Sequence, residues 1–129
     1  MKVGIKELCR RAEEKIETIS VTDALGLYKD EMVTLIDIRD IREIQRDGKI
    51  PGAYHAPRGM LEFWVDPESP YHKPVFATGK RLVFYCGGGM RSALAAEVVQ
   101  EMGLDNVCHV AGGFAAWMQE SYPIEKVER

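Results

Sequence analysis

An α/β domain with a mostly parallel sheet is the fold class this sequence predicts, and three observations predict it. Short apolar runs of strand length, among them residues 32–37, 81–85 and 107–110, alternate with segments of helical periodicity. Two of these runs lead into a chemically active residue, Asp37 or Cys86, as expected where the carboxyl ends of parallel strands open onto a functional face. A loop, Cys86-Gly87-Gly88-Gly89-Met90-Arg91-Ser92, then passes from a strand into a helix.

Taken in order, Ile5, Leu8, Cys9, Ala12, Ile16 and Ile19 recur every three or four residues among charged side chains, which predicts an amphipathic helix over 4–18. Residues 1–18 are read as an N-terminal helical extension and 19–129 as the domain proper. Cys9 falls on the apolar face and is read as packing. A short strand over 19–21 follows, and Thr22 is the expected cap of a helix over 23–28. Residues 32–37 form a buried strand, and Asp40 with Glu43 has the spacing of a capping box for a helix over 41–46, ended by Asp47-Gly48. Asp37 and Arg39, taken alone, read as an ion pair at a strand end.

Ile50-Pro51-Gly52-Ala53 is a turn, and 54–56 is long enough for a short strand. Residues 60–65 are apolar around Glu62, and 66–70 form a proline-stiffened excursion. This stretch has two readings: a lid or binding surface, or a helix anchored by Phe63 and Trp64 with a plain connection. Strand 81–85 delivers Cys86, and an apolar helix then runs to Gly103. After the last strand, 107–110, Gly112-Gly113 turns the chain into a helix over 114–121. Its Trp117 is expected on the sheet, and Pro123 ends it. Cys108, His72 and His109 are read as structural, whereas His55 ends a strand on the same face as Asp37.

Composition excludes several classes of function. Seventeen Lys and Arg against twenty Asp and Glu, interspersed, leave a net charge of −3, which points away from nucleic acid and from a membrane surface. No run of about 18 apolar residues is present, and the acidic N-terminal segment does not look like a targeting peptide, so a cytoplasmic location is expected. Three widely spaced cysteines do not make a disulfide framework, no metal-ligand spacing occurs, and no cofactor is expected.

Three consecutive glycines bury no side chain and carry a high backbone entropy cost, so a role in packing does not explain them. A loop without Cβ atoms can turn its N–H groups onto one point, and the helix entered near Ser92 adds the positive end of its dipole. Such a nest holds an anion. With Cys86 at its mouth and Arg91 beside it, the favoured anion is a thiolate, the nucleophilic form of cysteine.

Together these motifs resemble the single-domain rhodanese-like sulfurtransferases. Cys86 to Ser92 is similar to the family's C-x-x-G-x-R-S loop, Asp37-Ile38-Arg39 to its D-x-R segment, Ile50 to Ala53 to its I-P-G-A turn, and Gly112 to Trp117 to its G-G-x-x-x-W close. Order and spacing agree over roughly residues 18 to 125, as four separated motifs would not by chance. The resemblance implies a three-layer α/β/α domain with a five-stranded sheet. It also implies sulfur transfer through a Cys86 persulfide, from a small-molecule sulfur donor to a thiol or protein acceptor.

By the same resemblance Gly87, Gly88, Gly89, Met90 and Arg91 bind substrate, and Asp37, Arg39 and Ser92 support the loop, with Asp37 the candidate brace for Arg91. The family's thiosulfate-specialised enzymes carry basic residues where this chain has Gly88 and Glu43, so the loop's own cation is Arg91 alone. Arg58 is the candidate second cation. Two alternatives remain. One is a cysteine-dependent phosphatase or arsenate-reductase-like enzyme, whose loop has five residues between Cys and Arg rather than the four found here. The other is a non-catalytic interaction module.

Overall fold

The computed structural model describes residues 1–128. Its sheet has five strands: β1 (Glu17–Ile19), β2 (Val33–Asp37), β3 (Tyr54–His55), β4 (Arg81–Tyr85) and β5 (Val107–Val110). They lie in the order β1-β5-β4-β2-β3, and every pairing is parallel. Parallel neighbours require crossover connections, and helices supply most of them: α1 (Ile5–Lys15), α2 (Val21–Leu27), α3 (Ile41–Asp47), α4 (Leu61–Val65), α5 (Met90–Glu101) and α6 (Gly113–Gln119).

The alternation of β4 divides the interior in two. Leu82 and Phe84 point into a cluster with Ala12 and Ile16 near α1, Leu61 and Val65 of α4, and Ala93, Ala96 and Val99 of α5. Val83 and Tyr85 point the other way, towards Ala24 of α2 and Phe114 and Trp117 of α6. The molecule is thus a three-layer α/β/α domain whose β4 is buried on both faces, which is why its sequence reads as a continuous apolar run.

Element boundaries moved where local chemistry offered two solutions. Helix α1 ends at Lys15, so 17–19 rather than 19–21 form the strand. Ser20 and not Thr22 caps α2: its Oγ accepts from the Asp23 N–H at 3.1 Å, and the Asp23 carboxylate accepts from the Ser20 N–H at 3.4 Å. The Asp40–Glu43 capping box forms as read, at the start of α3. In the 60–76 stretch the helix is a single turn extended from Arg58–Met60, and its buried anchors are Leu61 and Val65; Phe63 is 54% exposed and lies edge-on to Tyr71.

Trp117 is fully buried, donates its Nε1–H to the Pro123 carbonyl at 2.7 Å and packs edge-on against Tyr28 and Tyr122.

Candidate active site

Strand β4 ends at Tyr85 and α5 begins at Met90, so Cys86 lies at the carboxyl end of a central strand and in front of a twelve-residue helix. Gly89, the N-cap of α5, has φ +102°, and a Cβ there would come within 3.1 Å of the Gly112 nitrogen. A side chain would strain that backbone and crowd the neighbouring loop. The result is a tight loop whose N–H groups turn onto the sulfur: Cys86 Sγ accepts from Gly89 N–H at 3.1 Å and from Ser92 N–H at 3.4 Å.

Helix α6 holds the loop from behind. Phe114 N–H donates to the Cys86 carbonyl at 2.8 Å and Ala115 N–H to the Gly87 carbonyl at 3.0 Å. This contact explains the glycine pair of the closing motif. A Cβ on Gly113, at φ +56°, would meet the Cys86 carbonyl oxygen at 2.4 Å, well inside van der Waals contact.

Arg91 turns out to be braced by Glu43 rather than Asp37. Its guanidinium donates to both carboxylate oxygens, at 2.8 and 3.0 Å, across 48 residues of sequence. These charge-assisted bonds hold Glu43 below the usual carboxylate range and push Arg91 up. Glu43 also accepts the Asp40 N–H at 3.2 Å, so one carboxylate caps α3 and fixes the loop cation.

Asp37 is instead fully buried against Arg39, whose Nη2 donates to Asp37 Oδ2 at 2.8 Å and to the Gly48 carbonyl at 2.7 Å. The Arg39 guanidinium stacks 4.2 Å above Phe114, behind the loop. Arg58 donates to Glu62 at 2.7 Å, and its side chain is not among those lining the cleft at Cys86. His55 Nε2 bonds the Arg39 carbonyl at 2.7 Å, and Lys49 holds its turn through the Ala53 carbonyl.

Cys86 is 1% exposed, and its opening is a cleft of about 390 Å³ lined by Ile5, Gly88, Met90, Arg91 and Leu94. Sequence reasoning missed Ile5, which α1 brings to the cleft by packing along α5. His109, read as structural, is a buried imidazole that bonds Ser92 Oγ through Nδ1 at 2.9 Å and Thr18 Oγ1 through Nε2 at 3.1 Å. No spacing rule links residues 86, 92 and 109; they meet only because β5 lies beside β4. The other two cysteines are buried, and burial pushes both thiols up, Cys108 to about 11, so both stay protonated at neutral pH. Among the described residues no cluster suited to a metal ion occurs, and no helix is long and apolar enough to cross a membrane.

Comparison with known proteins bears on the family and the fold. A family model described as the rhodanese-like domain matches residues 20–120. A structure from Rhodopseudomonas palustris, of a protein of unknown function described as a possible tyrosine phosphatase, is 54% identical and superposes with a TM-score of 0.94, covering 97% of this chain and 96% of that one. The thiosulfate sulfurtransferase GlpE of Glaesserella parasuis is 29% identical over 88% of this chain and 96% of its own length. The human single-domain sulfurtransferase TSTD1 is 27% identical with a TM-score of 0.66, over 80% of this chain and 96% of that one.

Proposed function

We propose, because this chain belongs to the rhodanese-like domain family, that it moves a sulfane sulfur from a donor to a thiol or other nucleophilic acceptor through a persulfide on Cys86. One observation carries the reading: Cys86 Sγ lies in a loop with four residues before Arg91, receiving the N–H groups of Gly89 and Ser92. The outer sulfur of a persulfide lies only about 2 Å beyond Sγ, so a nest this tight suits thiolate and persulfide alike.

In the first half-reaction the Cys86 thiolate attacks the outer sulfur of R–S–S–H, and RS⁻ leaves with the electron pair of the broken S–S bond. In the second, an acceptor thiolate attacks the sulfur now carried by Cys86, and the Cys86 sulfur leaves with the electron pair of the broken S–S bond. Cys86 is the catalytic residue; Gly87, Gly88, Gly89 and Met90 frame the incoming group, and Ser92, Arg91, Asp37 and Arg39 keep the loop in shape.

The similarity to the R. palustris protein, a possible tyrosine phosphatase, favours a second reading, phosphoester hydrolysis. Intact-mass measurement separates the two. After exposure to thiosulfate, mercaptopyruvate or glutathione persulfide, the protein is expected to gain one sulfur that a reductant removes, and to leave an aryl phosphate untouched. Cys86-dependent hydrolysis of the aryl phosphate, with no sulfur gained from any donor, would move the assignment to the phosphatase branch.

The charge balance of the cleft bears on the donor. Glu43 already neutralises Arg91, and Ile5, Met90 and Leu94 make the walls apolar. A dianion such as thiosulfate finds no free cation there, so an organic persulfide with an apolar body is the better fit. A Cβ at Gly88 would have nothing within 4 Å, and its φ is not in the left-handed region. Gly88→Arg is therefore expected to fold and to raise kcat/KM for thiosulfate about tenfold, the equivalent of one charge-assisted hydrogen bond. It should leave an alkyl hydropersulfide nearly unchanged. An unaltered thiosulfate rate would mean that charge at this position does not set donor choice.

A further inference from the structure

Behind Cys86 a line of hydrogen bonds, buried as far as His109, leads away from the cleft to Thr18, which is exposed. Cys86 Sγ lies 3.5 Å from Ser92 Oγ, which lies 2.9 Å from His109 Nδ1, and His109 Nε2 lies 3.1 Å from Thr18 Oγ1. Cys86, Ser92 and His109 are each at most 1% exposed, so water does not compete for the bonds among these three. Beyond Thr18, the Glu13 carboxylate of α1 stands 3.9 Å from the same Nε2. From these contacts we infer that His109, acting through Ser92, is the proton acceptor that prepares Cys86 for attack and the proton donor that receives it when it leaves.

The directions of the bonds follow from what surrounds the imidazole. α1 contributes Glu13, α5 contributes Ser92, β1 contributes Thr18 and β4 contributes Phe84; of these only Glu13 is charged. A carboxylate on the Nε2 side favours the tautomer with its hydrogen there, donated to Thr18 Oγ1. Nδ1 is then a free acceptor facing the Ser92 hydroxyl. Ser92 donates to Nδ1 and keeps a lone pair for the Cys86 thiol. Burial pushes the His109 pKa down, so the resting ring is neutral; burial also disfavours the imidazolium, and the Glu13 carboxylate acts against that penalty.

The transfer balances within the chain. The Cys86 S–H bond breaks and its proton goes to Ser92 Oγ while the hydroxyl's own proton passes to His109 Nδ1, leaving the electron pair on sulfur for attack. The imidazolium so formed is held by Thr18 and Glu13. When an acceptor takes the sulfur, the same two protons move back and Cys86 leaves as a thiol. No outside acid or base is needed. The inference rests on Cys86 being the reacting sulfur, as proposed above, but it concerns the thiol's proton and not the identity of the donor.

The test is the rate of Cys86 alkylation by iodoacetamide against pH, read on the Cys86 peptide by mass spectrometry, in the parent, His109→Gln, Ser92→Ala and the double variant. Each single change is expected to slow alkylation at neutral pH by about a hundredfold, the low end of general-base assistance. All four proteins should converge at a pH well above the free-thiol value of about 8.5, where hydroxide does the same work. The double variant should be no slower than the slower single one, since either change breaks the same line.

A general loss of loop geometry would slow alkylation at every pH, so convergence is the discriminating readout. Profiles that match the parent at neutral pH, or that fail to converge, overturn the inference. Should His109→Gln fail to fold by circular dichroism, Ser92→Ala, which removes one buried oxygen, decides alone. Shifted profiles in a protein that never gains sulfur would leave this relay standing and remove sulfur transfer. A persulfide forming beside an unshifted profile would do the reverse.

Discussion

Cys86→Ser is expected to reduce sulfur transfer to the background rate while the fold persists. A hydroxyl occupies nearly the same space as the thiol and can still accept the Gly89 and Ser92 N–H groups that now point at Sγ. As a nucleophile it is far weaker at neutral pH, and oxygen in place of sulfur cannot carry a persulfide. Cys9→Ser and Cys108→Ser should both keep activity, because burial holds those thiols protonated and neither lines the cleft. The measurement is persulfide formation by intact mass, alongside turnover with a thiol acceptor and circular dichroism of each variant. A Cys86→Ser protein that transferred sulfur at the parent rate would remove the mechanism proposed here.

Arg39→Ala should produce the largest loss of stability of any single substitution considered. Its guanidinium neutralises the fully buried Asp37, bonds the Gly48 carbonyl at the end of α3 and covers Phe114. Removing one member of a buried pair leaves an uncompensated charge, which costs about 3–5 kcal/mol. Domains of this size are stable by only about 5–15 kcal/mol, so about a fifth or more of the total is at stake. The expected result is a fall of that size in the unfolding free energy in urea. Sulfur transfer should fall with it, because Phe114 N–H holds the Cys86 carbonyl. A change under about 1 kcal/mol would mean that water or a neighbouring group replaces the guanidinium, at odds with its 1% exposure.

Much of the architecture was legible from local chemistry. The continuous apolar runs of β2, β4 and β5, the Asp40–Glu43 capping box and the glycine loop between β4 and α5 each depend on residues within a few positions of one another. Where two local solutions were close in energy, reading failed by small steps. Ser20 and Thr22 are both competent N-caps, and the choice fell to the pairing of Glu17 to Ile19 with β5. Of the two expected anchors, Trp64 packs half-buried on the core beside Tyr54 whereas Phe63 is exposed, and the fully buried positions of α4 are Leu61 and Val65.

The candidate site divides along the same line. That a cysteine ends a strand, that a glycine nest follows it and that a helix points at it was legible in the residues alone, since chain connectivity brings those three together. Tertiary structure sets which acid braces Arg91, because Glu43 lies 48 residues from it and no local spacing selects that acid over Asp37. The burial of Asp37 against Arg39 leaves Glu43, on the rim of α3, to face the loop. It alone placed Ile5 at the cleft and His109 behind Ser92. Both depend on contacts across more than a dozen residues, set by the strand order and by α1 lying along α5. Local propensity acts through bonds a few residues long, whereas these pairings are chosen by burial of the whole sheet, which no single segment encodes.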